Sequence, residues 1–236
     1  MIILRSLAFA AAFYVWSGTL ALGTLPLLYV APPRFSVRMM RWWARGILAL
    51  LRGLCGVRVV FRGLEHLPAG AILIAAKHQC MLDTMAPLLV LADPAFVMKR
   101  ELMRIPVYGW YAGRLRMIVV DRAAGGRAVR SLVADARDRV AAGRQVVIFP
   151  EGHRTAPGAA ADYKPGVAGL YRDLRLPCTP LATNSGVHWP AHGFLRRPGV
   201  IVYEFLPAIA AGLSRAGFMR LLEDRLEAAS RSLLAL

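Results

Sequence analysis

The chain has 236 residues, of which 57% are hydrophobic and only 19% are charged. This composition excludes disordered, low-complexity and collagen-like chains, which need polar or Gly/Pro-dominated sequence. Lysine and arginine number 30 against 14 aspartates and glutamates, giving a formal net charge of +16. Such a surplus predicts a polyanionic partner: nucleic acid, an anionic membrane surface or an acidic carrier protein. Because the chain is also strongly hydrophobic, the membrane is favoured.

The first 33 residues contain a long uncharged run. No charge occurs in the 28 residues from Ser6 to Pro33, and about 20 apolar residues suffice to cross a bilayer. The run is too long for a typical secretory signal, and strongly basic sequence follows it instead of a small-residue cleavage site. Residues 1–33 are therefore predicted to be a membrane anchor. It would either span the bilayer or be re-entrant, because Gly23 and Pro26 weaken the run.

A basic segment, residues 34–56, comes next. Its arginines recur every three or four residues, as on one face of a helix, and are Arg34, Arg38, Arg41 and Arg45. Trp42 and Trp43 lie among them, and indole rings favour the headgroup layer. We expect a basic helix lying in the membrane interface; a solvated helix face packed on the domain is the alternative. The positive-inside rule places the rest of the chain in the cytoplasm, hence at the inner membrane.

Residues 57–236 alternate between short apolar runs and helical stretches. This alternation predicts one catalytic α/β domain with a largely parallel central sheet flanked by helices. The predicted strands are mostly continuous apolar runs, as expected when both faces are buried: Arg58–Arg62, Ala71–Ala76, Phe96–Met98, Met117–Val120, Gln145–Phe149, Thr179–Thr183 and Val200–Phe205. The predicted helices are Thr84–Leu91, Arg127–Ala142, Val167–Leu174 and Ser214–Leu234.

The first candidate site is the segment Lys77–Asp83, directly after the strand Ala71–Ala76. Reactive groups gather at the carboxyl ends of strands in open α/β sheets. Histidine is the natural general base near neutral pH, and a nearby carboxylate fixes its tautomer and stabilises the imidazolium. His78 and Asp83 could be such a pair. The structural alternative is a turn histidine with Asp83 capping a helix that begins at Thr84.

The spacing of this pair makes a geometric prediction. On one continuous α-helix, residues five apart are roughly 140° apart around the axis, so His78 and Asp83 could not touch. If they are a base and its partner, the backbone between them bends, and an imidazole nitrogen lies about 2.6–3.2 Å from a carboxylate oxygen. Arg122 and Arg154 are then expected to converge on the same cavity, with Glu151 beside them.

A second candidate site, Phe149–Thr155, also follows a predicted buried strand. Glu151 and Arg154 at the end of a strand, with Gly152 allowing close backbone approach, could hold a phosphate or another anion. The alternative is a surface turn carrying an ordinary ion pair.

Two further segments are less distinctive. In Gly113–Arg122, a predicted strand ends just before Arg122. Arg122 could lie at the same edge as the other candidate residues, or it could be an ordinary solvated residue at a strand end. Leu176–Ala182 places two prolines around a short strand and could be a plain edge segment.

Together and in this order, the four segments resemble the PlsC-like glycerolipid acyltransferases, the lysophosphatidate acyltransferase family. The family's first motif, Asn-His-x4-Asp, is similar to Lys77–Asp83, and its second, a strand that runs from glycine to arginine, is similar to Gly113–Arg122. Its third motif, Phe-Pro-Glu-Gly-Thr-Arg-Ser, is similar to Phe149–Thr155, and its fourth, a proline-bearing strand, is similar to Leu176–Ala182. The resemblance covers residues 57–205. The sequence departs from the family at three positions: the usual asparagine is Lys77, a small hydroxyl residue is Cys80, and a threonine is His153.

The resemblance implies transfer of an acyl chain to the sn-2 hydroxyl of 1-acyl-glycerol-3-phosphate, giving phosphatidate in phospholipid synthesis. The donor would be acyl-CoA or acyl carrier protein, with no other cofactor and no metal. His78 would be the base and Asp83 its orienting partner. The substrate-binding residues would be Lys99, Arg122, Glu151, Gly152 and Arg154, with Glu151 positioning Arg154 or the glycerol hydroxyl. Membrane lipids would be partners of the protein, and the acceptor could instead be another lysolipid, such as lyso-ornithine lipid.

Other functional classes are less well supported by the residues. A cysteine hydrolase could use Cys80 with His78. A zinc site could be drawn from His188 and His192, but Pro190 interrupts the helix that such spacing needs. Nucleic-acid binding would use the same charge, yet no recognition motif is present. A membrane-bound scaffold is the non-enzyme alternative.

Overall fold

The computed structural model describes residues 1–235, except for the side chains of residues 28, 29, 33, 34 and 124. Its centre is a seven-stranded sheet of order β1-β7-β6-β2-β5-β3-β4. Every neighbouring pair is parallel except β6 and β7. The strands are β1 Val57–Arg62, β2 Leu73–Ala76, β3 Pro94–Lys99, β4 Ile118–Val120, β5 Gln145–Ile148, β6 Cys178–Thr183 and β7 Gly199–Phe205. The predicted fold class and all seven predicted strands are confirmed.

The central strands are buried on both faces, which explains their continuous apolar sequence. Every residue of β2, β5 and β6 is buried. Alternate residues of β2 belong to two separate cores, Ile74 with the N-terminal helices and Leu73 with the C-terminal helix. Pro180 lies inside β6, the third strand from one edge, so the edge-segment alternative for Leu176–Ala182 is wrong.

The helices agree with the prediction except around Asp83. Helices α5 Gly126–Ala141, α6 Gly166–Leu174 and α8 Arg215–Leu233 match it within one residue, whereas α4 Tyr108–Arg114 and the short α7 Ser185–His188 were not predicted. The predicted helix Thr84–Leu91 is wrong. It is replaced by two 3₁₀ turns, Met81–Thr84 and Ala86–Leu89. Pro87 lacks the N–H that an α-helix would donate to the carbonyl of Asp83, and its ring would crowd that carbonyl.

The N-terminal segment forms a helical hairpin: α1 Ile2–Thr24, α2 Leu27–Val30, and α3 Pro33–Leu50, which continues into a π-helical turn, Leu51–Cys55. Two tryptophans join α1 to α3. The Trp16 Nε1–H donates to the Trp43 carbonyl at 3.1 Å, and the Trp43 Nε1–H donates to the Ser17 hydroxyl at 2.9 Å. The indole of Trp16 lies over Gly46, where an added Cβ would be 2.3 Å from the ring.

The α/β domain contacts α1 near both ends. Near its start, Ser6 Oγ accepts from the Arg196 N–H at 2.8 Å, and the Phe9 ring lies 5.5 Å from that of Trp189. At its end, the Thr24 hydroxyl is hydrogen-bonded to the Tyr111 hydroxyl. Phe9 is 1% exposed and shares a core with residues of segments 34–56 and 57–236. The three predicted segments are therefore packed as one body.

Candidate active site

Four neighbouring strands, in the order β2-β5-β3-β4, are mutually parallel, so their carboxyl ends lie along one edge of the sheet. The residues predicted from the sequence follow these ends. His78 comes after β2, Glu151 after β5 and Arg122 after β4, while Lys99 ends β3. The topology therefore gathers these four residues at one edge of the sheet.

The predicted contact between His78 and Asp83 is confirmed. His78 Nδ1 lies 3.1 Å from Asp83 Oδ2. The same oxygen accepts the backbone N–H groups of Gln79 at 2.6 Å and Cys80 at 2.7 Å. The backbone thus turns around the Asp83 carboxylate instead of continuing as a helix, which is the bend that the five-residue spacing required.

The imidazole of His78 is fixed on a second side by an aromatic ring. Phe149, at the end of β5, stacks on it with ring centroids 4.2 Å apart and an interplanar angle of 24°. The His78 side chain is 15% exposed. With Nδ1 directed at Asp83, Nε2 is the ring nitrogen left for a substrate proton. The arrangement suits a neutral imidazole that accepts a proton at Nε2.

Asp83 is 1% exposed and keeps its negative charge through hydrogen bonds. Burial alone would raise the pKa of its carboxyl. The hydrogen bond and charge of His78, the Cys80 N–H and the Ser185 hydroxyl outweigh burial and lower that pKa below its usual value. Asp83 is therefore an ionised carboxylate in contact with the His78 ring.

Cys80 does not provide a nucleophile. Its side chain is fully buried, and its thiol lies 3.6 Å from Asp83 Oδ1, to which it donates. Burial, reinforced by the charge of Asp83, raises the pKa of the Cys80 thiol well above its usual value. A protonated and inaccessible thiol cannot attack a substrate, so the cysteine-hydrolase alternative is wrong.

The proposed zinc ligand His188 is committed to the backbone. Its Nδ1 lies 3.1 Å from the Arg197 carbonyl and 3.2 Å from the Pro198 carbonyl. Within residues 1–235, no group of three or more His, Cys, Asp or Glu side chains is placed to hold a metal ion.

Glu151 has a different role from the predicted one. It is fully buried, its Oε2 accepts the His78 backbone N–H at 2.9 Å, and its Oε1 accepts the Thr155 hydroxyl at 2.5 Å. Lys77 Nζ lies 2.6 Å from the same Oε1. These bonds engage both oxygens of the carboxylate, for which the prediction had named Arg154 or a glycerol hydroxyl as partner. Glu151 joins the two motifs to each other.

Lys77, the departure from the family's asparagine, lies in a buried ionic network. It is 3% exposed, and its Nζ also lies 2.5 Å from Glu227 Oε1 of α8. Glu227 accepts in addition the Tyr163 hydroxyl at 2.7 Å. Sequence reasoning missed Glu227 and Tyr163, because no local pattern connects residues this far apart in the chain.

The basic residues of the site are placed unequally. Gly152 has φ +72°, and the Arg122 guanidinium lies 3.4 Å from where a Cβ of residue 152 would be, with Lys164 close by at 3.6 Å. Arg154 is exposed, and its guanidinium lies 3.4 Å from the Ala191 carbonyl. The structure thus brings Arg122 to Gly152, while the contact that it shows for Arg154 is with the Ala191 carbonyl; the convergence of both arginines on one cavity stays a prediction. Lys99 is exposed and pairs in register with Val120, two residues before Arg122.

Comparison with known proteins identifies the family. The acyltransferase family model matches residues 58–184, and a 1-acyl-sn-glycerol-3-phosphate acyltransferase of Pseudomonas aeruginosa is 33% identical over 210 residues, 89% of this chain and 80% of that protein. The chain belongs to the acyltransferase family. A protein of the same name from Limnanthes alba is 26% identical over 195 residues, covering 80% of this chain and 68% of the relative.

The fold of this acyltransferase is also found among solved structures. The crystal structure of the 1-acyl-sn-glycerophosphate (LPA) acyltransferase PlsC from Thermotoga maritima superposes with a TM-score of 0.84 at 20% sequence identity. The match covers 100% of this chain and 99% of the other. The N-terminal helical hairpin is therefore included in the matched fold.

We predict that Asp83→Asn destabilises the protein in a pH-dependent way. The carboxylate accepts hydrogen bonds on both oxygens, whereas the amide NH2 accepts none and the amide carries no charge, so the substitution should cost about 1–3 kcal/mol at pH 7. The folded-state pKa of Asp83 is lowered. Its contribution is therefore present above the unfolded pKa of about 3.9 and is lost as the pH falls through the folded value.

The measurement is the free energy of unfolding of both proteins by chemical denaturation between pH 3 and pH 7. The difference between them should be constant near neutrality and shrink below about pH 4. Asp224→Asn, at an exposed position of α8, is the matched control and should change little. Equal stability of wild type and Asp83→Asn at pH 7 would contradict the assignment.

Proposed function

We propose that the protein transfers an acyl chain from a thioester to the sn-2 hydroxyl of 1-acyl-glycerol-3-phosphate, giving phosphatidate. The observation that carries this proposal is the His78–Asp83 pair at the carboxyl edge of the sheet, 3.1 Å apart, with the basic residues Lys99 and Arg122 at the ends of two other strands along the same edge. The names of the relatives from Pseudomonas aeruginosa and Limnanthes alba support the acceptor. The donor would be acyl-CoA or acyl carrier protein.

In this mechanism His78 Nε2 takes the proton of the acceptor hydroxyl as that oxygen attacks the thioester carbonyl. The tetrahedral intermediate collapses, the C–S bond breaks, and the imidazolium returns the proton to the departing thiolate. Asp83 stabilises the charged ring between these steps. A thioester already has a good leaving group, so no enzyme nucleophile is required, in agreement with the burial of Cys80.

The acceptor's phosphate would bind beside Gly152. Arg122 lies against this glycine, which has no side chain to block the approach of an anion. Lys99 ends the neighbouring strand, and Arg154 can join by rotating its exposed side chain. Two or three cations provide charge-assisted hydrogen bonds to a phosphate.

We predict that His78→Ala lowers turnover by about 100-fold or more, the scale for loss of a general base. The assay follows conversion of lysophosphatidate to phosphatidate with acyl-CoA and with acyl carrier protein in turn. Cys80→Ser keeps a hydrogen-bond donor towards Asp83 and should retain substantial activity. Near-normal activity of His78→Ala, or a clear preference for lyso-ornithine lipid in a panel of lysolipids, would overturn the proposal.

For the phosphate site, we expect Arg122→Ala to raise the acceptor's KM by about tenfold while changing the thioester's KM little, because one charge-assisted contact is lost. Arg154→Ala should raise it less, since this side chain lies against the Ala191 carbonyl. Arg172→Ala, exposed on α6, serves as the control. An equal rise for both substrates would show that Arg122 does not bind the acceptor.

For membrane attachment, we propose that α1 lies in the plane of one leaflet instead of spanning the bilayer. It is the one helix among residues 1–235 long and apolar enough to cross. However, its domain contacts at Ser6 and Thr24 are separated by about 27 Å of helix. A helix held at both ends by the same domain cannot cross away from it. Its outward face carries the exposed apolar side chains Leu4, Leu7, Tyr14, Val15 and Leu22.

The second helix of the hairpin, α3, adds positive charge to this surface. Arg38, Trp42 and Arg45 are exposed at helical spacing and face the solvent or a headgroup layer. Arg41 is different from the prediction: its guanidinium donates to the Leu88 carbonyl at 3.1 Å and the Leu91 carbonyl at 2.7 Å. The side chain of Arg34 is not among those that the structure describes. The proposed thioester donors are cytosolic, which supports the placement of the protein on the cytoplasmic side of the inner membrane.

We expect Leu7→Asp with Val15→Asp to abolish binding to vesicles of any charge, because both substitutions place carboxylates on the apolar face of α1. Arg38→Gln with Arg45→Gln should weaken binding to anionic vesicles by about 30-fold, since each basic side chain contributes about 1 kcal/mol. Flotation of phosphatidylglycerol and phosphatidylcholine vesicles measures both effects.

The matched control is Arg137→Gln with Arg172→Gln, on helices α5 and α6. These helices pack on the other core of the sheet, opposite the N-terminal hairpin, so vesicle binding should be unchanged. If the two double arginine variants lose affinity equally, the basic face of α3 has no special role.

A further inference from the structure

The second oxygen of the buried carboxylate is held by two hydroxyl groups from distant parts of the chain. Asp83 Oδ1 accepts the Ser185 hydroxyl at 2.6 Å and the Tyr203 hydroxyl at 2.8 Å. Ser185 is 0% exposed and Tyr203 1%. Neither residue belongs to a motif, and they follow Asp83 by 102 and 120 positions in sequence.

The sheet brings both hydroxyls to this point. β6 and β7 are antiparallel, with Thr183 opposite Tyr203, and Ser185 follows two residues after Thr183. The turn after β6 is held against β7 by a hydrogen bond: Asn184 Oδ1 accepts the Val202 N–H at 2.9 Å. β6 is also the parallel neighbour of β2, the strand that leads into His78. The positions of both hydroxyls are thus fixed by strand pairing.

The two oxygens of Asp83 have separate partners. Oδ2 faces His78 Nδ1 and two backbone N–H groups, while Oδ1 faces the hydroxyls of Ser185 and Tyr203 and, at 3.6 Å, the Cys80 thiol. A carboxylate with hydrogen bonds on both oxygens cannot rotate about its C–C bond without breaking several of them. Burial and the charge of Asp83 raise the pKa of Tyr203 well above its usual value, so its hydroxyl stays a donor.

We propose that Ser185 and Tyr203 are positioning residues for acyl transfer, which hold the Asp83 carboxylate in line with His78. This inference rests on the function proposed above. Neither residue contacts a substrate in this arrangement, because both are buried behind Asp83. Their effect is on the imidazole, through the carboxylate to which it is bonded.

Loss of either hydroxyl has a defined consequence. With one donor fewer, the carboxylate binds the imidazolium more strongly, so His78 loses its proton at a higher pH. The acid limb of the pH–rate profile then moves to higher pH. The looser carboxylate also lowers kcat, by about fivefold for one buried hydrogen bond. The KM values of both substrates should change little.

Other titratable groups near the pair do not produce this shift. The Cys80 thiol and Tyr203 hydroxyl stay protonated, and Lys77 is paired with Glu151 and Glu227. The Arg196 guanidinium, which acts on Cys80 from the segment before β7, stays charged throughout. The titration is therefore followed on the His78 ring itself.

The experiment compares wild type with Ser185→Ala and Tyr203→Phe, each of which removes one hydroxyl and little else. Tyr171→Phe is the matched control. Tyr171 is equally buried, and its hydroxyl contacts only backbone, donating to the Ala210 carbonyl and accepting from the Leu213 N–H. Two quantities are measured from pH 5 to pH 9: kcat and KM with lysophosphatidate, and the titration of the His78 ring by NMR of histidine-labelled protein, assigned with His78→Ala.

We expect both variants, but not Tyr171→Phe, to show a lower kcat, an unchanged KM and a His78 titration moved to higher pH. Wild-type kcat and an unmoved titration in both variants would overturn the inference, leaving the proposed function intact. The proposed function itself fails if wild type does not acylate lysophosphatidate. The NMR titration still reports whether the hydroxyls act on His78 through Asp83. If Tyr203→Phe does not fold, Ser185→Ala alone decides.

Discussion

The structure of the site depends on keeping one carboxylate charged inside the protein. An isolated buried carboxylate is strongly unfavourable unless hydrogen bonds replace its lost water. Asp83 gains these from its own turn, from α7 and from β7. The two residues just before the 3₁₀ turn at Met81–Thr84 supply the backbone donors, and the packing of β6 between β7 and β2 brings the two hydroxyl donors to the same carboxylate.

A second buried charge connects the site to the rest of the domain. Lys77 lies between Glu151 of the second motif and Glu227 of α8, and Glu151 also holds the His78 backbone N–H. The backbone that carries the histidine is therefore braced by residues on three separate segments. Removing Lys77 would leave the carboxylates of Glu151 and Glu227 without their shared cation, and a buried charge without a partner is strongly destabilising.

The sequence predicted the strands, because continuous apolar runs are local signals. It also predicted the edge of the sheet where the candidate site lies, because polar residues directly follow those runs. Prediction from the sequence failed where a side chain forms hydrogen bonds with the backbone or with residues far away in the chain. Thr84–Leu91 has a helical apolar pattern, yet Pro87 and the Asp83 carboxylate prevent the helix. Glu151 looked like a partner of Arg154, and only the fold shows it beside Lys77. Ser185 and Tyr203 gave no signal at all.

The apolar N-terminal run shows the same limit for the membrane. Its length and composition fit both a spanning and an in-plane helix, and the proposal of an in-plane helix rests on the contacts of Ser6 and Thr24 with the domain. Phe9 shares one core with Leu82, the residue before Asp83, and with Met85, two residues after it, so α1 is packed directly against the segment that carries the site. If α1 rests in one leaflet, the depth of His78 relative to the lipid surface is set by this packing. A fixed depth of His78 suits a lipid acceptor, because the acceptor's hydroxyl lies at a fixed distance from its own headgroup.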